Sequence, residues 1–250
     1  MDSLPGDQGL RFQGVDFQWS AEEPVLAGVD FDAKTGGITA IVGTSGCGKS
    51  TLLRLAAGLL APTKGRVERG GSRPAFVFQS PTLLPWRTLA ENVVLPLELW
   101  EAWHAGSGPE ETKEVRVAAA LSRVGLTEHA HKLPRQLSGG MRMRASLARA
   151  TVTEPGLVLL DEPFSSLDAI TRVHLQEEFL ALWREGAFTT LLVTHDIEEA
   201  LRLADKVLVL AGSPASIQAS FEVPFPRPRH PDLRYDPDLG ALARQVEAAL

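Results

Sequence analysis

Nine residues from Gly43 to Thr51, GTSGCGKST, hold the residue types that grip a chain of phosphates. Gly43, Gly46 and Gly48 let the backbone bend until its amides converge on an anion, and Thr44, Ser45 and Cys47 supply amides between them. Lys49 brings a point charge suited to β- and γ-phosphates, and the Ser50 hydroxyl can ligate a bridging magnesium, with Thr51 next to it. An apolar run, ITAIVG, enters the loop and a helical pattern, KSTLLRLAAGL, leaves it. That strand-to-helix context separates a phosphate-binding loop from a chance glycine turn.

Other polar groups are delivered in the same manner. LVLLDEP carries Asp161 and Glu162 to the end of a buried strand, and TTLLVT carries His195. Open α/β sheets bind ligands at the carboxyl ends of their strands, so these groups should face the glycine loop. Asp161 suits a magnesium shell, and Glu162, one residue on, can orient or deprotonate a water. A strand end or helix cap is the structural alternative for both acids. His195 has no second histidine or cysteine at ligand spacing, which makes it an organiser rather than a metal ligand. Gln79, ending AFVFQ, either caps its strand or uses its amide to sense magnesium and water. A second glycine pair, in QLSGGMRMRASLARA, opens a helix near Gly139, and helix N-termini present unpaired amides to anions. On that helix Arg142, Ser146 and Arg149 share one face, expected to be a solvated one, opposite Met143, Leu147 and Ala150.

These groups need a scaffold. The buried runs alternate with helical patterns, so the core sheet is largely parallel. LRFQGVDFQW and VLAGVDFDA alternate apolar residues around glycine, as strands of a small antiparallel sheet do. From about Pro81 the texture turns helical, through TLAENVVLPLELW and PEETKEVRVAAALSRVGL, which reads as an insertion splitting the core. After Gly212, VPFPRPRHP is too rich in proline for a helix or central strand, and LGALARQVEAAL follows as a short terminal helix.

Composition limits the partners. The 250 residues are 44% hydrophobic, enough for a packed α/β interior. A net charge of -6 argues against a general nucleic-acid binder. Cys47, the single cysteine, cannot form an intrachain disulfide and fits a reducing compartment. MDSLPGDQGL lacks the basic start and apolar run of a secretory signal, and no apolar stretch approaches the roughly 20 residues of a membrane helix.

Six features occur together and in one order: the glycine loop, Gln79, LSGGM from Leu137 to Met141, LLDEP, SSLD from Ser165 to Asp168, and VTHD around His195. The chain resembles the ATP-binding subunits of ABC transporters over nearly its whole length. The resemblance implies an α/β fold: a P-loop, RecA-like core with a largely parallel sheet, an N-terminal antiparallel β subdomain and a helical insertion. Residues 1–85 and 155–215 would form the core with its flank, 86–154 the insertion, and 216–250 a C-terminal tail. It implies ATP and magnesium as ligands, with Ser50, Gln79 and Asp161 at the metal and Glu162, His195 and Gln79 catalytic. It also implies a head-to-tail homodimer in which Ser138, Gly139 and Gly140 of one subunit close over the partner's γ-phosphate, with Asp168 at the same junction. Trp19 aligns with the adenine-stacking aromatic, with Phe17 as competitor on the same strand face. The loop Leu83–Arg87 and PFPRPR resemble the importer branch for nitrate, sulfonate and taurine. That branch implies permease subunits, an extracytoplasmic solute-binding protein, and a place on the cytoplasmic face of the inner membrane. In this setting Trp86 is either an anchor for a permease helix or a packing residue of the insertion. An ABC ATPase acting on DNA or ribosomes would need a long coiled coil, a second cassette or a basic face, none of which the sequence suggests.

Overall fold

A computed structural model describes residues 9–70, 73–103, 112–229 and 231–250. Residues 1–8 of the segment read above as lacking a signal, and the PEE of the second insertion pattern, lie outside these. The strands are β1 (Leu10–Gln18), β2 (Pro24–Ala33), β3 (Ile38–Val42), β4 (Lys64–Glu68), β5 (Pro74–Val77), β6 (Leu157–Asp161), β7 (Thr189–Thr194), β8 (Lys206–Gly212) and β9 (Ala215–Glu222). The helices are α1 (Lys49–Ala57), α2 (Leu89–Trp103), α3 (Lys113–Arg123), α4 (Gly139–Thr151), α5 (Ala169–Gly186), α6 (Ile197–Leu203) and α7 (Pro237–Ala248).

All nine strands join one sheet in the order β4-β1-β2-β9-β8-β3-β7-β6-β5. From β8 to β5 the neighbours run parallel, whereas β4, β1 and β2 pair antiparallel. The central parallel strands β3, β6 and β7 are buried along nearly their whole length because both faces are covered. Alternate residues go to opposite cores: Ile38, Ala40 and Val42 of β3, with Val158 and Leu160 of β6, pack under α2 to α7. Ile41, Leu157, Leu159, Leu191 and Val193 face α1 and the antiparallel flank. Helix α1 therefore leaves the glycine loop directly into a core, with Leu52, Leu53 and Leu55 fully buried.

The tail differs from its sequence reading. Residues 215–222 form β9, antiparallel to β8 and touching β2 through Leu26 and Ala215, so the sheet continues past residue 215. ASIQASFE alternates apolar Ala215, Ile217, Ala219 and Phe221 with polar residues, the period of a half-exposed strand, so the strand was legible where the sequence reading placed only a tail. PFPRPR then closes over the end of α6: the nearly buried Arg229 donates to the carbonyls of Leu201 and Arg202, and Arg227 binds Asp205. Capping the last carbonyls of a helix with guanidinium groups satisfies acceptors that the helix cannot. Desolvation pulls the Arg229 pKa down to about 10. No helix among the described residues is long and apolar enough to cross a membrane.

Candidate functional site

Strands β3 and β6 end at the mouth of a cavity of about 440 Å³. Its floor is the glycine loop, represented by Ser45, Gly46, Gly48, Lys49, Ser50 and Thr51. Gly48 holds φ +104, a left-handed conformation that side chains rarely adopt, and a Cβ there would press on Val25 and Leu26 at 3.0 Å. That turn swings the chain from β3 into α1, whose first residue is Lys49. Lys49 is only 5% exposed, and its Nζ donates to the carbonyls of Gly43 and Thr44 at 2.8 and 2.9 Å. A lysine held this tightly against the loop is positioned for an anion lying on the loop's amides. Gly43, Thr44 and Cys47 complete the loop beneath this surface, with the Cys47 side chain packed on the α1 core rather than facing the cavity.

Opposite the loop stand the acids. Ser50 Oγ donates to Asp161 Oδ1 at 3.1 Å, which places a hydroxyl and a carboxylate oxygen side by side. Burial raises the Asp161 pKa, with Ser50 opposing the effect and neighbouring Glu162 adding to it. A half-buried carboxylate with an adjacent hydroxyl suits a hard divalent cation, whose charge would offset the partial desolvation. Glu162 adopts φ +45, a strained conformation for a non-glycine residue, and so turns away from the line of β6. One of its carboxylate oxygens lies 3.9 Å from Lys49 Nζ and the other 2.9 Å from His195 Nδ1. His195 is 59% exposed, at the outer rim. Gln79, one residue past the exposed Phe78, lines the cavity and donates from Nε2 to Ser165 Oγ, which in turn donates to the Glu162 carbonyl. The strand read as AFVFQ stops at Val77, where its pairing with Leu160 of β6 ends.

The two candidate aromatics sit in different environments. Phe17, 6% exposed, belongs to the core of the antiparallel flank, whereas Trp19 is 55% exposed and lines the cavity beside Val25. The two do not share a strand face, since β1 ends at Gln18 and Trp19 enters the following turn. Their rings meet edge to face, 4.9 Å between centroids, so Phe17 props the Trp19 ring.

The second glycine pair lies elsewhere. Ser138 is the N-cap of α4 and its Oγ accepts from the Met141 amide, which leaves the hydroxyl hydrogen for another acceptor. A Cβ on Gly140 would come within 2.8 Å of the Thr171 methyl, so α4 can begin this close to α5 only with glycine there. Asp168 caps α5 by accepting from Thr171, a bond that lowers its pKa. None of Ser138, Gly139, Gly140 or Asp168 lines the cavity that holds Lys49 and Asp161. One chain thus carries two anion-facing helix starts that do not meet.

A family model described as "ABC transporter" matches residues 26–165, more than half of the chain. The chain belongs to the ABC transporter family. The aliphatic sulfonates import ATP-binding protein SsuB 1 of Mesorhizobium japonicum is 42% identical over 232 residues, 91% of this chain and 84% of the relative. Its namesake in Pseudomonas syringae pv. syringae is also 42% identical, over 93% of this chain and 92% of the relative. Among solved structures, the dimeric ATP-binding cassette MJ0796 bound to ADP and Pi superimposes with a TM-score of 0.73 at 29% identity, covering 86% of this chain and 99% of that one. CbiO1 from Clostridium perfringens, part of a transporter complex, gives 0.77 at 25% identity over 98% and 96%. The chain is the ATP-hydrolysing subunit of an ABC importer.

Three parts of this ABC cassette were not legible in the sequence. The arginine face of α4, expected in solvent, is half-buried: Arg142 donates to the Leu137 carbonyl and Arg149 to the loop after Gln79. Ser146, on the same face, is fully buried. Fully buried Asn92 holds residues 84–88 through four hydrogen bonds. Arg172 joins the Leu167 carbonyl to Asp196, beside His195. All three are polar side chains serving distant or irregular backbone, and the only sequence signal was a polar face on a helix that packs.

Proposed function

We propose that two copies of this chain sandwich ATP head to tail and drive uptake of small sulfonate-type anions through membrane permease subunits. The observation that carries the dimer is the separation of the two phosphate cradles: the cavity has the glycine loop and the acids but lacks Ser138, Gly139, Gly140 and Asp168. A two-fold axis lets each chain lend these residues to the other and generates two equivalent sites. The dimeric MJ0796 cassette, similar over 86% of this chain, supports that arrangement.

Within each site Trp19 stacks on adenine, and residues Gly43–Thr51 hold the phosphates. Ser50, Asp161 and Gln79 would hold magnesium, which would supply positive charge beside the phosphate oxygens. Glu162 accepts a proton from water, and His195, hydrogen-bonded to it, fixes the carboxylate's direction. The partner's Ser138 hydroxyl and the amides at Gly139 and Gly140 donate to the γ-phosphate. Closure on ATP and release after hydrolysis turn phosphate chemistry into motion.

The sulfonate class rests on the relatives, both named for aliphatic sulfonate import, and nitrate and taurine belong to the same small-anion reading. The permease contact falls on the rigid 84–88 loop, where Asn92 supports the backbone and Trp86 stands 73% exposed. An exposed tryptophan on a fixed loop suits a partner helix. The chain would then sit peripherally at the cytoplasmic face of the membrane, with the solute-binding protein meeting the permease on the other side. In the test, purified protein should release phosphate from magnesium-ATP, while Glu162→Gln binds ATP, hydrolyses it about 10²–10⁴-fold more slowly and becomes a dimer by light scattering. The same variant should stay monomeric with ADP. A Glu162→Gln variant that remains monomeric with ATP bound would refute the sandwich.

A further inference from the structure

The tetrapeptide GVDF occurs twice in the antiparallel flank, at residues 14–17 of β1 and 28–31 of β2. Both glycines hold left-handed backbone, Gly14 at φ +54 and Gly28 at φ +57. The pairing gives the reason. From Phe12–Phe31 to Val15–Val29, β1 advances three residues against two of β2; from Val15–Val29 to Phe17–Leu26, β2 advances three against two. Each strand therefore carries one glycine bulge, and each bulge is fastened from the strand opposite. The Gly14 amide donates to Asp30 Oδ1 at 2.8 Å, and the Gly28 amide donates to Asp16 Oδ1 at 2.7 Å.

The two clasps stand at unequal distances from the nucleotide cavity. An extra residue turns every later side chain to the other face of a sheet. Along β2, Phe31 and Val29 are buried and, past the Gly28 bulge, so is Leu26, whereas unbroken alternation would bury Ala27 and Val25. The bulge thus sends Leu26 into the core and leaves Val25 for the cavity wall, next to Gly48. Asp16 also gathers the end of β1. Its carbonyl accepts from the Thr63 amide at 2.8 Å, the Thr63 hydroxyl accepts from the Gln18 amide at 3.3 Å, and its carboxylate lies 3.3 Å from Lys64 Nζ. Gln18 closes β1, and Trp19 follows it. The Gly28 amide, with Lys64 adding to it, holds the Asp16 carboxyl below its ordinary 3.8. The Gly14–Asp30 clasp is chemically the same but lies farther along both strands from Trp19 and Val25.

We infer that Asp16 is a positioning residue for base recognition: by fixing the Gly28 bulge it sets Val25 beside Trp19 on the cavity wall, whereas Asp30 serves the fold alone. This rests on the reading of Trp19 as the adenine-stacking ring.

The repeat supplies its own control. Asp16→Ala and Gly28→Ala disturb one clasp, Asp30→Ala and Gly14→Ala the other; an added Cβ meets nothing within 4 Å at either glycine, so both substitutions act through backbone strain. All four variants should melt below the parent protein. In calorimetric titrations magnesium-ADP should bind about five- to tenfold more weakly to the first pair and within about twofold of the parent to the second, with tripolyphosphate within about twofold in all four. Asp16→Asn keeps an accepting oxygen without the charge, and should return ADP affinity to within about twofold of the parent. Added to Trp19→Ala, Asp16→Ala should cost at most about twofold more, because it acts through the ring's surroundings. Equal ADP losses in the two pairs, or ADP and tripolyphosphate weakening together in the first, would overturn the inference. It also falls if Trp19→Ala weakens ADP binding while Asp16→Ala and Gly28→Ala do not. Unchanged ADP affinity in Trp19→Ala would overturn the reading of Trp19 and the role of Asp16 with it.

Discussion

Replacing Trp19 by alanine separates recognition of the base from stability of the fold. Trp19 is 55% exposed, so its removal strips little from the core, apart from its edge contact with Phe17. Alanine substitution of an aromatic that stacks on a base costs about 1–3 kcal/mol, which converts to roughly 5- to 150-fold in Kd. Trp19→Phe, which keeps a ring on the same turn, should recover most of that loss. Phe17 is the control: it is 6% exposed in the flank's core, where phenylalanine-to-alanine changes cost about 3–5 kcal/mol of stability. Phe17→Leu should therefore lower the melting temperature while leaving nucleotide affinity within about twofold. Calorimetric titration with magnesium-ADP gives the affinities, and inorganic tripolyphosphate, which lacks a base, should bind Trp19→Ala and the parent protein alike. Equal losses for ADP and tripolyphosphate would mean that the substitution damages the phosphate loop, and an unchanged ADP affinity would remove Trp19 from base recognition.

Mixing Lys49→Ala chains with Ser138→Arg chains should recover hydrolysis that neither variant shows alone, because both defects fall in one composite site and leave the other intact; no recovery, with ATP affinity lost in Ser138→Arg monomers, would place the second cradle within its own chain. Cys47 Sγ would lie 2.8 Å from a Cβ on Gly43, so an alkylated thiol displaces the glycine loop. Alkylation should block ATP hydrolysis and magnesium-ATP should protect, whereas full activity of a stoichiometrically alkylated protein would contradict this geometry. Burial raises the folded pKa of Asp161 above its ordinary 3.8, so the folded state binds that proton more tightly than the unfolded state. The stability from this group is complete below 3.8 and fades as pH rises through the raised value. At neutral pH and without metal, Asp161→Asn should accordingly melt higher than the parent, while magnesium-ATP hydrolysis is lost; a lower melting temperature would show that the carboxylate is not the strained group.

The groups that handle phosphate were legible because they are local. Residues 43–51 specify their own turn, since the amides that converge on an anion belong to consecutive residues, and Gly48 alone permits the φ of +104 that starts α1. The apolar runs before Asp161 and His195 likewise fix which strand end carries each side chain, because a strand buried on both faces has no polar alternative. Boundaries were less legible where the side chains meet solvent. The edge strand β5 ended earlier than its apolar letters suggest, whereas β9 had a signal in the strict alternation of ASIQASFE that the reading of a tail left unused.

What the sequence determined by itself was the inventory: a phosphate loop, a carboxylate pair, an outlying histidine, and a second glycine-opened helix. The tertiary structure decided how these are shared. It put Ser138, Gly139, Gly140 and Asp168 outside the cavity of Lys49 and Asp161, and by ending β1 at Gln18 it left Trp19 on the cavity wall and Phe17 in the core. It also turned the arginines of α4 from an apparent solvent face into a brace, joining Arg149 to Thr82 across 67 residues of chain. A side chain that bonds a distant loop carbonyl leaves no period or spacing in the sequence, because its partner is a backbone oxygen that every residue type supplies.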